Sequence, residues 1–348
     1  MSEDVNYQAF GLQMTCAAVN LLSVEAARQS MSDTIKRAEG LIAGSHGFLR
    51  SFTGGAARLV VLPEYFLSSF PLGESIAGWQ AKACLEIDGP EYEQLGLVAQ
   101  RQGVYLSGNA YELDPNFPQL YFQTSFIISP AGDVVLRYRR LVSMFAPTPH
   151  DVLDDYLDCY GADGLFPVAD TQIGRLACVA SEEILYPEIT RAHALRGAEI
   201  ICHSSSEVGS PQATPKNIAK QARAYENMVY VVSANSAGIT GIPFPAQSTD
   251  GHSQVVDYKG AVLGEASVGE SMCGNGEIDL GALRRARRKP GMTNTLARQR
   301  VELFTATYQA DASIYPANNL TDVSDPQRSH FQNTLQDTIE RLSARGII

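Results

Sequence analysis

Three polar side chains each stand at the end of an apolar segment, where a strand would stop. Glu64 follows the apolar run 59–63. Arg140 ends a strand-like segment, and Ser181 follows the apolar run 176–180. Ligands of open α/β sheets usually bind at such carboxyl ends. A serine there can be a nucleophile, a partly desolvated glutamate a general base, and an arginine a stabiliser of an oxyanion.

Each of the three also has an ordinary explanation. Glu64 could be a solvated loop residue, Arg140 part of a surface basic cluster, and Ser181 a turn or helix-capping serine. Taken singly, the ordinary explanation is favoured for each, because polar residues are common at the surface. A functional site therefore requires that the fold bring the three together.

The elements that would position these residues alternate between strands and helices, which indicates an α/β layered fold. Helices are predicted over 24–46, 91–102, 187–197 and 216–228. Strands are predicted over 10–19, 58–62, 104–112, 123–129, 134–139, 175–180, 199–202 and 229–234, with a hairpin over 252–257 and 261–266.

Together these segments resemble the nitrilase, or carbon–nitrogen hydrolase, superfamily over about residues 10–304. The segments 62–64, 138–140 and 173–188 are similar to its glutamate, lysine and nucleophile segments. Supporting matches lie at 191–199, 223–227, 234–235, 251–253 and 278–280. The resemblance implies a four-layer αββα sandwich that pairs with a second copy into a homodimer. It also implies hydrolysis of a non-peptide C–N bond (amide, nitrile or carbamoyl) in a small molecule.

The chain departs from the family pattern at two of three catalytic positions. Counting back six positions from Pro187, the family's cysteine falls on Ser181. The family's lysine falls on Arg140, and only the glutamate, Glu64, is kept. An engineered Cys-to-Ser change would explain Ser181 but not Arg140. Arg140 could also pair with Glu64 and so occupy the base.

Further site residues follow from the same resemblance. We expect Glu182, Glu183 and Asp155 to support the oxyanion or the catalytic residues, with the backbone N–H of Glu182 as an oxyanion donor. Asp155 competes for its role with Asp151, Asp154 and Asp158. Tyr65, His203 and Ser205 are expected to contact the substrate.

The cysteines predict neither a substitute nucleophile nor a metal site. Cys178 lies three residues before Ser181, so strand alternation directs it away from the site. Cys178 and Cys202 are therefore interpreted as buried core residues. The six cysteines show no CxxC pair and no Cys/His ligand spacing, so we expect no metal and no cofactor.

Charge and hydropathy exclude other classes of protein. The net charge of -11 argues against nucleic-acid binding and against docking on an anionic membrane. The first residues lack the pattern of a signal peptide, and no apolar run reaches the length of a membrane span. A soluble, cytoplasmic protein is expected. We predict a nitrilase-like domain over 1–310 and a C-terminal extension over 311–348 that ends in an amphipathic helix.

Three hypotheses about function follow. The first, which we favour, is a hydrolase with Ser181 as nucleophile, Glu64 as base and Arg140 as electrostatic stabiliser. The second is a catalytically inactive binding or scaffold protein that keeps the fold. The third is an enzyme of altered chemistry, in which Ser181 only hydrogen-bonds and activity survives Ser181→Ala.

Overall fold

Two six-stranded sheets pack face to face between layers of helices in the computed structural model, which describes residues 5–210, 212–310, 314–323 and 326–348. The strands are β1 (Asn6–Gly11), β2 (Cys16–Ala17), β3 (Ala57–Val61), β4 (Tyr105–Leu113), β5 (Tyr121–Ile128), β6 (Val134–Arg139), β7 (Ala169–Thr171), β8 (Gly174–Ala180), β9 (Ile200–Ser204), β10 (Tyr230–Ala234), β11 (Ile239–Thr240), β12 (Gln254–Val256), β13 (Val262–Glu265) and β14 (Asn275–Asp279). The helices are α1 (Val24–Thr53), α2 (Ile76–Ala83), α3 (Pro90–Gln102), α4 (Leu153–Tyr160), α5 (Pro187–Leu195), α6 (Pro215–Asn227), α7 (Leu280–Arg288), α8 (Glu302–Ala310) and α9 (Arg328–Ala344).

The sheet topology brings the carboxyl ends of several strands to one edge. The first sheet has the order β14-β1-β3-β4-β5-β6, and the second has the order β13-β12-β10-β9-β8-β7. Within them, β1, β3 and β4 run parallel, as do β8, β9 and β10. Strand β6 runs antiparallel to β5, which is itself antiparallel to β4, so β6 ends at the same edge as β4.

Burial on both faces explains the apolar runs of the central strands. Along β3, Leu59 and Val61 join the core between the two sheets. Val60 points to the other side and packs with Met31 and Ile35 of α1. This alternation fixes the register of β3, because a one-residue slip would move each side chain to the opposite layer.

The predicted four-layer α/β sandwich is confirmed, and most predicted elements are present. The strand predicted over 10–19 was wrong. Strand β1 begins at Asn6, where it pairs with Asp279 of β14, and a separate short β2 follows. Helix α1 runs past the predicted end at residue 46 and stops at Gly54, whose φ of 74° suits glycine.

The C-terminal helix predicted from apolar spacing is present as α9. Phe331 is buried in the core, whereas Leu335 and Ile339 lie at the surface. The division at residue 310 stays a prediction, and residues 311–313 and 324–325 of the extension lie outside the described residues. Among the described helices, none is long and apolar enough to cross a membrane.

A matched pair of leucines tests the inter-sheet core. Leu59→Ala removes a side chain that is 0% exposed, so the free energy of unfolding should fall by about 2–5 kcal/mol. Leu21 is 87% exposed, and Leu21→Ala should change the free energy by less than about 0.5 kcal/mol. Urea unfolding of both variants measures the difference, and equal losses would contradict the described core.

Candidate active site

Ser181 lies at the turn between β8 and α5, directly after the last strand residue, Ala180. Its φ of 50° is in the left-handed region, and its side chain is buried. A serine in this region is strained, so surrounding contacts must hold it there. The strand-to-helix turn thus has the form expected for a nucleophile.

Two hydrogen bonds hold Ser181. The Lys216 ammonium, in the first turn of α6, donates to Ser181 Oγ at 3.1 Å. His203 Nε2 lies 2.9 Å from the Ser181 carbonyl oxygen. Because a carbonyl oxygen only accepts, Nε2 carries the hydrogen, and His203 Nδ1 accepts from Ser233 Oγ at 2.8 Å. Burial, together with the charges of Lys220 and Lys216, lowers the pKa of His203 well below its usual value, so the ring is neutral.

Glu64 lies in the turn after β3 and is 2% exposed. Its backbone N–H donates to the Ser205 carbonyl at 3.2 Å. Its Oε1 accepts from Gln123 Nε2 at 2.8 Å and from Arg140 Nη1 at 3.1 Å. Its Oε2 is buried and has no hydrogen-bond partner among the described residues. One carboxylate oxygen is therefore held by the protein, and the other is left for a ligand or water.

Arg140 joins the carboxylate to the nucleophile segment. Besides Glu64, its guanidinium donates to Gln123 Oε1 at 2.7 Å, to the Val142 carbonyl at 2.7 Å and to the Glu182 carboxylate. Burial lowers the pKa of Arg140, but the neighbouring carboxylates outweigh burial and raise it above its ordinary value. The arginine is therefore always charged. Its contacts bring Glu64 and the residue after Ser181 to one place.

The Glu183 carboxylate holds the turn that carries Ser181. Its carboxylate accepts four hydrogen bonds, from Tyr138 Oη at 2.9 Å and from the backbone N–H groups of Ala180, Leu141 and Val142 at 3.0, 2.6 and 3.1 Å. These donors lie at the ends of β6 and β8, so Glu183 ties the two sheets together beside Ser181. Burial raises the pKa of Glu183 to about 7, against the opposing effects of Arg140 and of the donors on Ala180, Leu141 and Tyr138.

The structure joins Glu64, Arg140 and Glu182 by hydrogen bonds, and Glu183 binds the N–H of Ala180, the residue before Ser181. The arginine–glutamate pairing anticipated for Arg140 and Glu64 is present. The role of the Glu182 N–H at an oxyanion stays a prediction.

Asp155 is not brought to this group. It is exposed on α4, which turns Tyr156 toward the core, and within the described part of the chain no hydrogen bond or ion pair joins it to the other site residues. Asp151, a competing candidate, is buried, but its carboxylate accepts from the backbone and hydroxyl of Thr148. The expectation of an acidic residue from α4 is therefore not met.

The three residues expected to contact the substrate differ in their hydrogen bonds to the rest of the protein. Both ring nitrogens of His203 bond to the protein itself, so it positions Ser181. Ser205 is buried, and its Oγ has no partner among the described residues. Tyr65 is half-buried at a φ of 35° and stacks near Tyr111. Ser205 and Tyr65 remain proposed contacts.

Two buried amides and one lysine were missed by sequence reasoning. Asn109 Oδ1 accepts from the Tyr65 N–H at 3.1 Å and from Gln123 Nε2 at 2.9 Å, which holds the turn that carries Glu64. Polar residues inside apolar strands were the only available signal for the two amides. Nothing in the sequence around Lys216 indicated its contact with Ser181.

The cysteines and possible metal ligands contribute no further group. Cys178 and Cys202 are buried in the core between the sheets, as predicted. Within the described ranges, no three His, Cys, Asp or Glu side chains group as metal ligands.

The Glu183 carboxyl gives protein stability a pH dependence of defined sign. Its folded pKa of about 7 exceeds its ordinary value of 4.5. Between these values the folded protein binds more protons than the unfolded chain, so the free energy of unfolding falls as the pH rises. The stability present below pH 4.5 is lost by about pH 7, and the loss is on the order of 3 kcal/mol.

Urea unfolding of the wild type and of Glu183→Gln, from below pH 4.5 to above pH 7, measures this effect. The difference in free energy of unfolding, wild type minus variant, should fall with rising pH and then level off. Other titrating groups cancel in that difference. A difference that is flat or rises with pH would show that the four donors outweigh burial.

Comparison with known proteins agrees with this geometry. The sequence model of the family described as "Carbon-nitrogen hydrolase" matches residues 17–288, more than half of the chain. The chain is 29% identical over 251 residues to the "Nitrilase and fragile histidine triad fusion protein NitFhit" of Caenorhabditis elegans. That alignment covers 71% of this chain and 54% of the relative, so the chain spans about half of that protein's length.

A second relative and a solved structure extend the likeness. The chain is 28% identical over 211 residues to "Deaminated glutathione amidase" of Yersinia enterocolitica. That alignment covers 60% of this chain and 71% of the relative. A carbon-nitrogen hydrolase from Helicobacter pylori G27 superposes with a TM-score of 0.63 at 20% identity, covering 87% of this chain and 98% of the other. At that identity the superposition supports the fold alone. Because the family match spans most of both sheets and the turns that carry Glu64, Arg140 and Ser181, the chain belongs to the carbon-nitrogen hydrolase (nitrilase) superfamily.

Proposed function

We propose that this protein hydrolyses an amide-type C–N bond of a small molecule, with Ser181 as the nucleophile in place of cysteine. The observation that carries the proposal is the state of Ser181. Its hydroxyl lies on a buried, left-handed turn and is hydrogen-bonded to an amine. A strained nucleophile held in one orientation is a recurrent feature of active sites.

Glu64 and Arg140 have separate proposed roles in the reaction. Glu64 offers its unpartnered Oε2 as a base for water or as an acceptor for a substrate N–H. Arg140 supplies positive charge. Its four observed hydrogen bonds use four of its five N–H groups, which leaves one for an oxyanion. The reaction passes through an acyl group in ester linkage to Ser181.

The substrate class rests on the family and its relatives. The family is that of carbon-nitrogen hydrolases, and one relative is named an amidase. Small amides are therefore the first candidates, with nitriles and carbamoyl compounds next. Homodimer formation and a cytoplasmic location stay predictions from the sequence.

One observation favours the alternative of an inactive binding protein. The Oε1 of Glu64 is occupied by Gln123 and Arg140, and Glu64 and Arg140 are both buried. A carboxylate oxygen that two donors already occupy is poorly placed to take a proton from a nucleophile. A protein of this kind would bind an amide without turning it over.

Incubation with a panel of small amides, nitriles and carbamoyl compounds, followed by intact mass spectrometry, tests the proposal. We expect turnover and an acyl adduct on Ser181. Ser181→Ala should lose the adduct and at least about 1000-fold in kcat/KM, because the nucleophile is gone. Ser329, which is exposed on α9, gives the control variant Ser329→Ala, with unchanged turnover.

The other outcomes identify the other hypotheses. Binding without adduct or turnover in the wild type, with turnover gained by Ser181→Cys combined with Arg140→Lys, would identify an inactive member of the family. Turnover that survives Ser181→Ala would identify altered chemistry and contradict a serine nucleophile.

A further inference from the structure

We propose that Lys216 is a catalytic residue that takes the proton from Ser181 Oγ and later delivers it to the leaving nitrogen. This inference rests on the proposed function and names the group that activates its nucleophile. From the sequence alone, Glu64 is the residue expected to take that proton. The hydrogen bond of 3.1 Å between Lys216 Nζ and Ser181 Oγ is the contact through which the proton would pass.

The helix that carries Lys216 is fixed to the nucleophile turn. Helix α6 begins at Pro215, and its N-cap Thr214 accepts a hydrogen bond from the Asn217 N–H at 3.2 Å. One helix face packs on the core. From that face Arg223 donates to the carbonyls of Ile184 and Leu185 at 2.9 and 2.8 Å. Both carbonyls belong to the 3₁₀ segment Ser181–Leu185, so the lysine and the serine are held in one rigid unit.

The glutamate is less well placed for this step. No hydrogen bond joins Glu64 to Ser181 among the described residues, and its Oε1 is held by Gln123 and Arg140. Among the same residues, Lys216 is the titratable side chain that is hydrogen-bonded to Ser181 Oγ. Proton transfer requires hydrogen-bond reach, and geometry therefore favours the lysine.

The same helix carries a second lysine near the turn of Ser181. Lys220 lies one turn further on and is completely buried, with Asn217 Oδ1 and the His252 carbonyl as its acceptors at 3.0 and 3.1 Å. Burial lowers the pKa of Lys220 to about 8, the carboxylates of Glu207 and Glu265 oppose this effect, and the charge of Lys216 adds to it. No ion pair of the described residues involves either lysine. Lys216 Nζ is therefore not tied to a carboxylate and can exchange a proton with Ser181 Oγ across their hydrogen bond.

The reaction balances with water as the only co-reactant. Lys216 first releases its ammonium proton to water, and its neutral Nζ then accepts the hydroxyl proton while Ser181 Oγ forms a bond to the carbonyl carbon. The C–N bond then breaks, and Nζ returns the proton to the departing nitrogen, which leaves as ammonia or an amine. Water attacks the resulting ester and gives a proton to Nζ. The acid leaves as the C–O bond to Ser181 breaks, and the serine regains its proton.

Acylation of Ser181 by p-nitrophenyl acetate, measured as nitrophenolate release and confirmed by intact mass, isolates the first half of this sequence. Lys216→Ala should slow acylation by about 100- to 10,000-fold. Lys216→Arg should be comparably slow, because a guanidinium keeps the positive charge but cannot accept a proton. Exposed Lys259 gives the control, and Lys259→Ala should acylate at the wild-type rate. Thermal unfolding shows whether each variant is folded.

A cysteine background separates proton transfer from a structural role. A thiol ionises far more easily than a hydroxyl and depends less on a base. The fold-decrease in acylation rate caused by Lys216→Ala should therefore be at least about tenfold smaller in the Ser181→Cys background than in the wild type. A purely structural role would slow both backgrounds equally and would overturn the inference.

Two results distinguish this inference from the proposed function. If the wild type acylates on Ser181 and both Lys216 variants match its rate, the lysine has no catalytic role and the serine hydrolase stands. If the wild type forms no adduct on Ser181, the result contradicts both the serine nucleophile and the catalytic role of Lys216.

Discussion

The buried charge of Arg140 is the interaction on which the rest of the site depends. Its guanidinium contacts the carboxylate after β3, the amide of Gln123 on β5 and the carboxylate next to Ser181. If it were removed, Glu64 would lose its charged partner in a nearly water-free place, which costs more than the lost attraction itself. Because a guanidinium stays protonated, this positive charge is a permanent part of the site.

The two sheets contribute different parts of the site. The first sheet supplies the turn after β3 and the end of β6, whereas the second supplies Ser181 and the His203 that holds its carbonyl. Glu182 and Glu183 connect the two, since both acidic residues after the nucleophile bond to groups at the end of β6. The strained serine is therefore stabilised from both sides of the sandwich.

The sequence predicts positions along the chain better than it predicts contacts between strands. Glu64, Arg140 and Ser181 could be singled out because each follows a segment that the sequence predicts to be a strand. The roles of Asn109 and Lys216 depend on strand register and on how α6 packs, which local patterns do not specify. Asp155 shows how a position can mislead. It has the expected residue type, but the family alignment is loose there, and its side chain lies on an exposed face of α4.

The attachment of α6 to the nucleophile turn has a mechanical consequence. Arg223 couples Lys216 and Ser181 within the second sheet's layer, whereas Glu64 belongs to the first. Small sliding motions between the sheets would alter the separation of Glu64 from the serine while leaving the amine and the hydroxyl in register. A ligand bound between the two layers would then displace Glu64 relative to Ser181 and leave the contact between Lys216 and Ser181 in place.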